Sequence, residues 1–224
     1  MKIQEYERAN LPQLGSKAPF FEAETTFGPV SLSDYEGSWL VFFSHPGDFT
    51  PVCTSEFIAF SKSYDAFKER NTDLLGLSVG RIYSHLAWVN SIYENTGVEI
   101  PFPIIADGDM TISEQYGMIS PLITEVATVR NVFIIDPEGI VRLILYYPNN
   151  IGRNIMEILR CIDALQFSDE RGLNTPANWM PGMPGLMRPP VTYEGLKERE
   201  ISCGEDCRCV DWYFCFKNGD FDES

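Results

Sequence analysis

Apolar residues change period several times along this chain, and each change predicts an element. Trp39-Leu40-Val41-Phe42-Phe43 is short, continuous and rich in strand formers, the pattern of a strand buried on both faces. Beyond it the spacing shifts to three and four. Phe57, Phe60, Tyr64 and Phe67 share one helical face, with Lys62, Lys68, Glu69 and Arg70 elsewhere around it, so a helix is expected to about Arg70. Asp73 to Val79 predicts a second buried strand. Ser84 is placed to cap a helix carrying Leu86, Val89 and Tyr93 and ending at Gly97. Strand, helix, strand, helix is the order of a crossover unit and predicts a mainly parallel core.

Elements on either side complete the pattern. Phe20 to Thr26 and Pro29 to Leu32, about Phe27-Gly28, predict a hairpin leading in, while the first 17 residues are too irregular to assign. Pro103 to Asp107 predicts a short strand, and Thr111 to Tyr116 a short helix stopped at Gly117. Thr128 to Ile135 and Ile140 to Tyr146 flank Asp136-Pro137-Glu138-Gly139, strong hairpin punctuation. Ile151, Ile155, Ile158, Leu159, Ile162 and Leu165 mark a final helix, and Cys161 at its flank is assigned to packing.

From about Ser168 the character changes. Thr175 to Pro190 contains five of the fifteen prolines, which excludes regular helix and central strand. Trp179, Met180, Met183, Leu186 and Met187 are nevertheless too apolar for a solvated linker. An arm wrapping a partner subunit satisfies both observations, as does an arm packed on its own domain. The expected division is therefore a main domain over residues 1–167 and an extension over 168–224, one substantial core with an appendage for a chain of 224 residues.

Charge and composition narrow the function classes. A net charge of −15 disfavours nucleic acid and anionic membrane as partners. No apolar run reaches the ~18 residues of a membrane span, and Met1 to Arg8 lacks the apolar region of a signal peptide, so a cytoplasmic location is expected. Six cysteines in such a chain point to redox or metal chemistry rather than a structural disulfide framework.

The candidate chemistry sits between the first strand and its helix, in Pro46-Gly47-Asp48-Phe49-Thr50-Pro51-Val52-Cys53-Thr54-Ser55-Glu56. Thr50 is placed as an N-cap whose hydroxyl accepts an orphan amide, and Pro51 then takes the first helical position. Cys53 falls in the first turn, where free amides and the positive end of the helix dipole favour an anion. A thiolate attacks peroxide; a thiol hardly does. Arg130 enters an otherwise apolar strand, and a buried guanidinium needs an anionic partner: the Cys53 thiolate, a carboxylate such as Glu56, or both. His45 precedes a proline and could face the pocket, whereas His85 has no ligand type beside it and is assigned a structural place.

Pro46, Thr50 and Cys53, with Ser44-His45 before them and Thr54-Ser55-Glu56 after, resemble the active-site signature of the peroxiredoxins, in particular the one-cysteine and archaeal-type members. Asn174-Thr175-Pro176-Ala177-Asn178-Trp179 is similar to the carboxyl-terminal extension of that subfamily, and Cys209-Val210-Asp211-Trp212-Tyr213-Phe214-Cys215 to the archaeal-type tail. The resemblance implies an α/β thioredoxin-like fold, a central mixed sheet flanked by helices, with a carboxyl-terminal arm. It implies a thiol peroxidase acting on hydrogen peroxide and organic hydroperoxides, reduced by a thiol donor such as thioredoxin, with no cofactor and no metal. Homodimers assembling into a ring such as a decamer are implied as well. Carried over by position, Cys53 attacks, Thr50 and Pro46 shape the pocket, and Arg130 with Arg153, His45 and Glu56 surrounds the substrate. Cys215 then resolves the sulfenic acid and Cys209 exchanges with it. Cys203 and Cys207 match nothing in the pattern. Four cysteines within thirteen residues leave a zinc-binding module as an alternative, although a Cys-x-x-Cys knuckle is missing, and a redox-regulated holdase is another.

Overall fold

The structure, a computed structural model, describes residues 11–124, 126–201 and 207–217, and divides into two compact units between Ile155 and Met156. In the first unit the chain runs β1 (Glu22–Thr25), β2 (Gly28–Ser31), β3 (Trp39–Ser44), α1 (Pro51–Lys62), α2 (Tyr64–Lys68), β4 (Thr72–Ser78), α3 (Ile82–Thr96), β5 (Ile104–Ala106), α4 (Thr111–Gln115), β6 (Arg130–Ile135) and β7 (Val141–Tyr147). Seven strands form one sheet in the order β2-β1-β5-β4-β3-β6-β7. Only the central β5-β4-β3 pairings are parallel; β6 and β7 on one side and β1 and β2 on the other are antiparallel. The sheet is thus mixed: its parallel part is confined to the crossover strands, and the hairpins β1-β2 and β6-β7 join it on either side by antiparallel pairing.

All six residues of β3 are buried, and the pleat sends them alternately to two cores. Leu40 and Phe42 join Leu75, Leu77, Ile105, Tyr116 and Phe133 on one face. On the other, Phe43 stacks on Phe60 at 4.3 Å and meets Phe57 and Phe102 edge-on. The helical face expected at Phe57, Phe60 and Phe67 is buried as its spacing requires, but the helix is interrupted at Ser63 and resumes as α2.

Helix α3 departs from expectation. Its N-cap is Arg81, so Ser84 lies inside the helix, and Leu86 and Tyr93 are 45% and 50% exposed. The buried stripe is His85, Trp88 and Ile92. The phase is one residue off because Trp88 and Ile92 carry more apolar surface than Leu86 and Tyr93, and His85 finds a buried partner that makes its side safe to cover. The end is as expected: Gly97 adopts φ +70°, and its N–H closes on the Tyr93 carbonyl.

The second unit contains all but the first residue of α5 (Ile155–Arg171), then β8 (Gly185–Leu186), α6 (Tyr193–Ile201), β9 (Cys207–Asp211) and β10 (Phe214–Lys217). Helix α5 buries Ile158, Leu159 and Ile162, while Ile151 precedes it and is 49% exposed, so the stripe begins later than its spacing suggested. Cys161 is buried and free, and burial together with Glu157 pushes its thiol up to about 11, in keeping with packing. The proline-rich stretch contributes only the two-residue edge strand β8 to a three-stranded sheet, β8-β10-β9. Trp179 is buried, with its indole N–H donated to the Met183 carbonyl at 3.0 Å. A side chain at Gly185 would collide with Phe167 and Leu173, which is why glycine stands there. Cys203 lies outside the described residues. Among the described residues no helix is long and apolar enough to cross a membrane.

Because Phe60 is fully buried between Phe43 and Phe67, Phe60→Ala is expected to cost about 3–5 kcal/mol. The check is a lower denaturation midpoint at unchanged slope.

Candidate active site

Strand β3 ends at Ser44, and the loop from His45 to Thr50 carries the chain into α1. Thr50 occupies the N-cap with extended backbone and Pro51 the first helical position, as expected. The capping bond itself is not made. Phe49 takes φ +56°, the loop turns back on itself, and the Thr50 hydroxyl donates to the Gly47 carbonyl at 2.9 Å. The lone pairs of that hydroxyl and the first-turn amides therefore do not satisfy one another.

Cys53 and Glu56, three residues apart on α1, share a buried face. Arg130, at the start of β6, donates from Nη1 to Cys53 Sγ at 3.2 Å and to Glu56 Oε2 at 2.6 Å, while Nε and Nη2 bind the Asn149 carbonyl. Arg153 approaches the same carboxylate from the other side, with its backbone N–H and Nε on Oε1 and Nη2 on Oε2 at 2.7 Å. Its Nη1 donates to the carbonyls of Ser44 and Asn131, and its guanidinium lies 5.0 Å above the Phe43 ring. Burial pushes the Arg153 pKa down, and the Glu56 carboxylate opposes that shift. Glu56 thus bridges both arginines, and both partners weighed for Arg130 are present at once.

A second cluster holds the loop. Asp48 accepts from Ser84 Oγ at 2.6 Å and lies 2.7 Å from His85 Nδ1 and 3.1 Å from His45 Nε2. Both imidazoles are fully buried, and His45 stacks on Trp88. Burial alone would raise the Asp48 pKa, but the hydrogen bonds from His45, His85 and Ser84 outweigh it and hold the carboxyl well below the usual range. For His45 burial wins over Asp48, and its pKa is lowered from 6.5. His45, Asp48 and His85 offer metal-ligand atoms within 4.8 Å of one another, but here those atoms hydrogen-bond each other. Sequence reasoning missed Asp48 and the partner of His85. The signal was the phase of α3: with Trp88 and Ile92 inward, His85 is inward too.

The strand-to-helix turn carries Pro46, Thr50, Cys53 and Glu56, the first two half-buried and the last two buried, and Arg130 and Arg153 meet Glu56 there. His45 is at the same loop with its ring turned to Asp48. In the second unit Cys209 and Cys215 face each other across β9 and β10 and are joined by a disulfide; Cys207 is disulfide-bonded too.

Residues 14–144 match the AhpC/TSA family, and residues 164–202 match the C-terminal domain of 1-Cys peroxiredoxin. The chain is a peroxiredoxin. Peroxiredoxin 2 of Caldanaerobacter subterraneus subsp. tengcongensis is 60% identical over 96% of this chain and 97% of its own length. The peroxiredoxin of Methanocaldococcus jannaschii is 47% identical over 94% of this chain and 100% of its own. Among solved structures, a yeast mitochondrial 1-Cys peroxiredoxin superposes with a TM-score of 0.83 at 39% identity, covering 93% of this chain and all of that one. Peroxiredoxin 6 of Arenicola marina, in a cysteine-to-serine mutant form, gives 0.82 at 34% identity, covering 93% and 98%. The chain thus has the thioredoxin-like fold of these thiol-dependent peroxidases. Cys209 and Cys215 lie beyond both family matches, so the tail is the part of this peroxiredoxin that they describe least.

The buried charges make two outcomes measurable. Glu56→Gln leaves two buried guanidiniums against a neutral group and is expected to cost about 3–5 kcal/mol, measured by denaturant titration. For His45, the folded state resists the proton that the unfolded chain accepts near 6.5. Its contribution to stability is complete above that pH and is lost as pH falls below it. Unfolding free energy should decline between about pH 7 and 5, and His45→Asn should flatten that slope; an unchanged slope contradicts the assignment.

Proposed function

We propose that Cys53 is the peroxide-reducing thiolate of a two-cysteine cycle completed by the tail. Cys53 sulfur attacks the terminal oxygen of hydrogen peroxide or an organic hydroperoxide, the O–O bond breaks, and water or an alcohol leaves as Cys53 becomes a sulfenic acid. Arg130 and the first-turn amides meet the charge that moves onto the leaving oxygen, and Thr50 orients the peroxide. The single observation that carries this reading is Arg130 Nη1 held between Cys53 Sγ at 3.2 Å and Glu56 at 2.6 Å. His45, with its ring buried, serves by holding the loop rather than by touching peroxide.

Cys215 of the partner subunit then attacks the Cys53 sulfenic sulfur, releasing water and forming an intersubunit disulfide. Cys209 attacks the Cys215 sulfur in turn, frees Cys53 and leaves the Cys209–Cys215 pair, the bond present here. A thiol donor such as thioredoxin restores both thiols. The region from 168 onward is the dimer arm, with Met180 and Met183 exposed at 51% and 41%, and the dimers assemble into a ring such as a decamer in the cytoplasm. The Cys209–Cys215 bond supports redox use of the tail over the zinc-module alternative, because sulfurs joined in a disulfide are not thiolate ligands.

The test is peroxide consumption with thioredoxin and its reductase, accompanied by non-reducing gels. Cys53→Ser should abolish turnover, whereas Cys215→Ser should still consume one equivalent of peroxide, form no linked dimer and stall. Activity surviving in Cys53→Ser overturns the whole reading, and normal turnover in Cys215→Ser overturns the role of the tail.

A further inference from the structure

We propose that Ser44 is a positioning residue of the peroxide step, its hydroxyl holding the backbone of Arg130 so that the guanidinium reaches Cys53. This rests on the roles given above to Cys53 and Arg130, and adds what aims the arginine.

Trp39 to Phe43 are apolar, so Ser44 is the one polar residue of β3, and it is fully buried. A buried hydroxyl needs only one partner to be tolerated. Ser44 Oγ has three contacts, all on β6 or the residue before it. It donates to the Val129 carbonyl at 2.6 Å, accepts the Asn131 N–H at 3.2 Å and lies 3.1 Å from Asn131 Oδ1. Val129 and Asn131 stand on either side of Arg130. The two peptide groups that flank the Arg130 Cα are therefore tied to one oxygen, and the orientation of those groups sets the direction in which the arginine side chain leaves the strand.

The tie falls where the backbone ladder ends. Strands β3 and β6 pair from Leu40 opposite Ile135 to Phe43 opposite Val132. Past that rung the carbonyls of Ser44 and Asn131 both accept from Arg153 Nη1, at 2.8 and 2.9 Å. Arg130 begins β6 and is paired on its other side with Tyr147. Its Nη1 has to serve Cys53 Sγ at 3.2 Å and Glu56 Oε2 at 2.6 Å together, so a small rotation of the backbone takes it off one or the other. A displacement of about 1 Å can cost a rate roughly 100-fold. Thr128 supplies the contrast. Its hydroxyl, equally buried, donates to the His45 carbonyl at 2.7 Å and ties the same two segments one step further on, without gripping a peptide group beside Arg130.

The experiment compares two reactions of one sulfur in the reduced full chain. Peroxide and iodoacetamide are added separately, and loss of the Cys53 thiol is followed by mass spectrometry of its peptide, so the tail cysteines do not interfere. Both reactions need the thiolate, but only peroxide reduction needs Arg130 to meet charge on a leaving oxygen. The ratio of the two rate constants therefore reports the aim of Arg130 rather than the amount of thiolate. Ser44→Ala should lower that ratio about tenfold or more, and Ser44→Thr, which keeps the oxygen, should retain the wild-type value. Thr128→Val should melt earlier and leave the ratio unchanged. An unchanged ratio in Ser44→Ala overturns the assignment, as does an equal fall in Thr128→Val, which would mean that loosening the junction of β3 and β6 is sufficient. A folded Ser44→Thr chain with a lowered ratio overturns it too, even if Ser44→Ala does not fold. If one equivalent of peroxide leaves the Cys53 peptide of the wild-type chain unoxidised, the role of Cys53 itself fails; if wild type and Ser44→Ala are oxidised there equally fast, only the role of Ser44 does.

Discussion

One buried carboxylate holds the candidate active site together. Glu56 faces two guanidiniums, Arg130 and Arg153, in a place closed to water. Each arginine would be intolerable there alone, and a single carboxylate balances only one of them. The site is left with a surplus of positive charge, and Arg130 directs it at the Cys53 sulfur. That arrangement suits a thiolate and the charge leaving a peroxide, on a chain whose net charge overall is −15.

The rest of the first unit can be understood as what keeps this constellation in register. Cys53 and Glu56 come from one turn of α1, Arg130 from the start of β6, and Arg153 from the segment before α5. Phe43 and Phe60 pack beneath the Arg153 guanidinium and fix α1 against β3. On the far side of the loop, Asp48 ties the end of β3 to α3 through His45, Ser84 and His85. The loop that carries Pro46 and Thr50 is therefore flanked by buried polar groups, Glu56 with its arginines on one side and Asp48 with its histidines on the other.

In the tail, the two cysteines of the Cys209–Cys215 disulfide are placed unequally. Among the described residues, strand order puts Cys215 on the middle strand, fully buried, and Cys209 on an outer one, half-buried.

How much of this was legible follows from the range of the interactions involved. Local ones could be read: the strand at Trp39 to Phe43, the first-turn position of Cys53, the hairpin about Asp136 and the exclusion of regular helix from Thr175 to Pro190 depend on neighbours three or four residues away. Even the need of Arg130 for an anion was evident from its apolar strand. What the sequence could not supply was which groups meet across long separations. His85 had no ligand type near it in sequence, yet it lies on Asp48, on the face of α3 that Trp88 and Ile92 also bury. Thr50 had the right residue and place for a cap, but a positive φ at Phe49 sent its hydroxyl to Gly47 instead. Periodicity and residue type determined the elements and the first-turn place of Cys53, because these are properties of a short stretch of chain; the pairing of buried charges and the burial of each tail sulfur were decided only by tertiary structure, because burial and partners exist only once distant segments have packed.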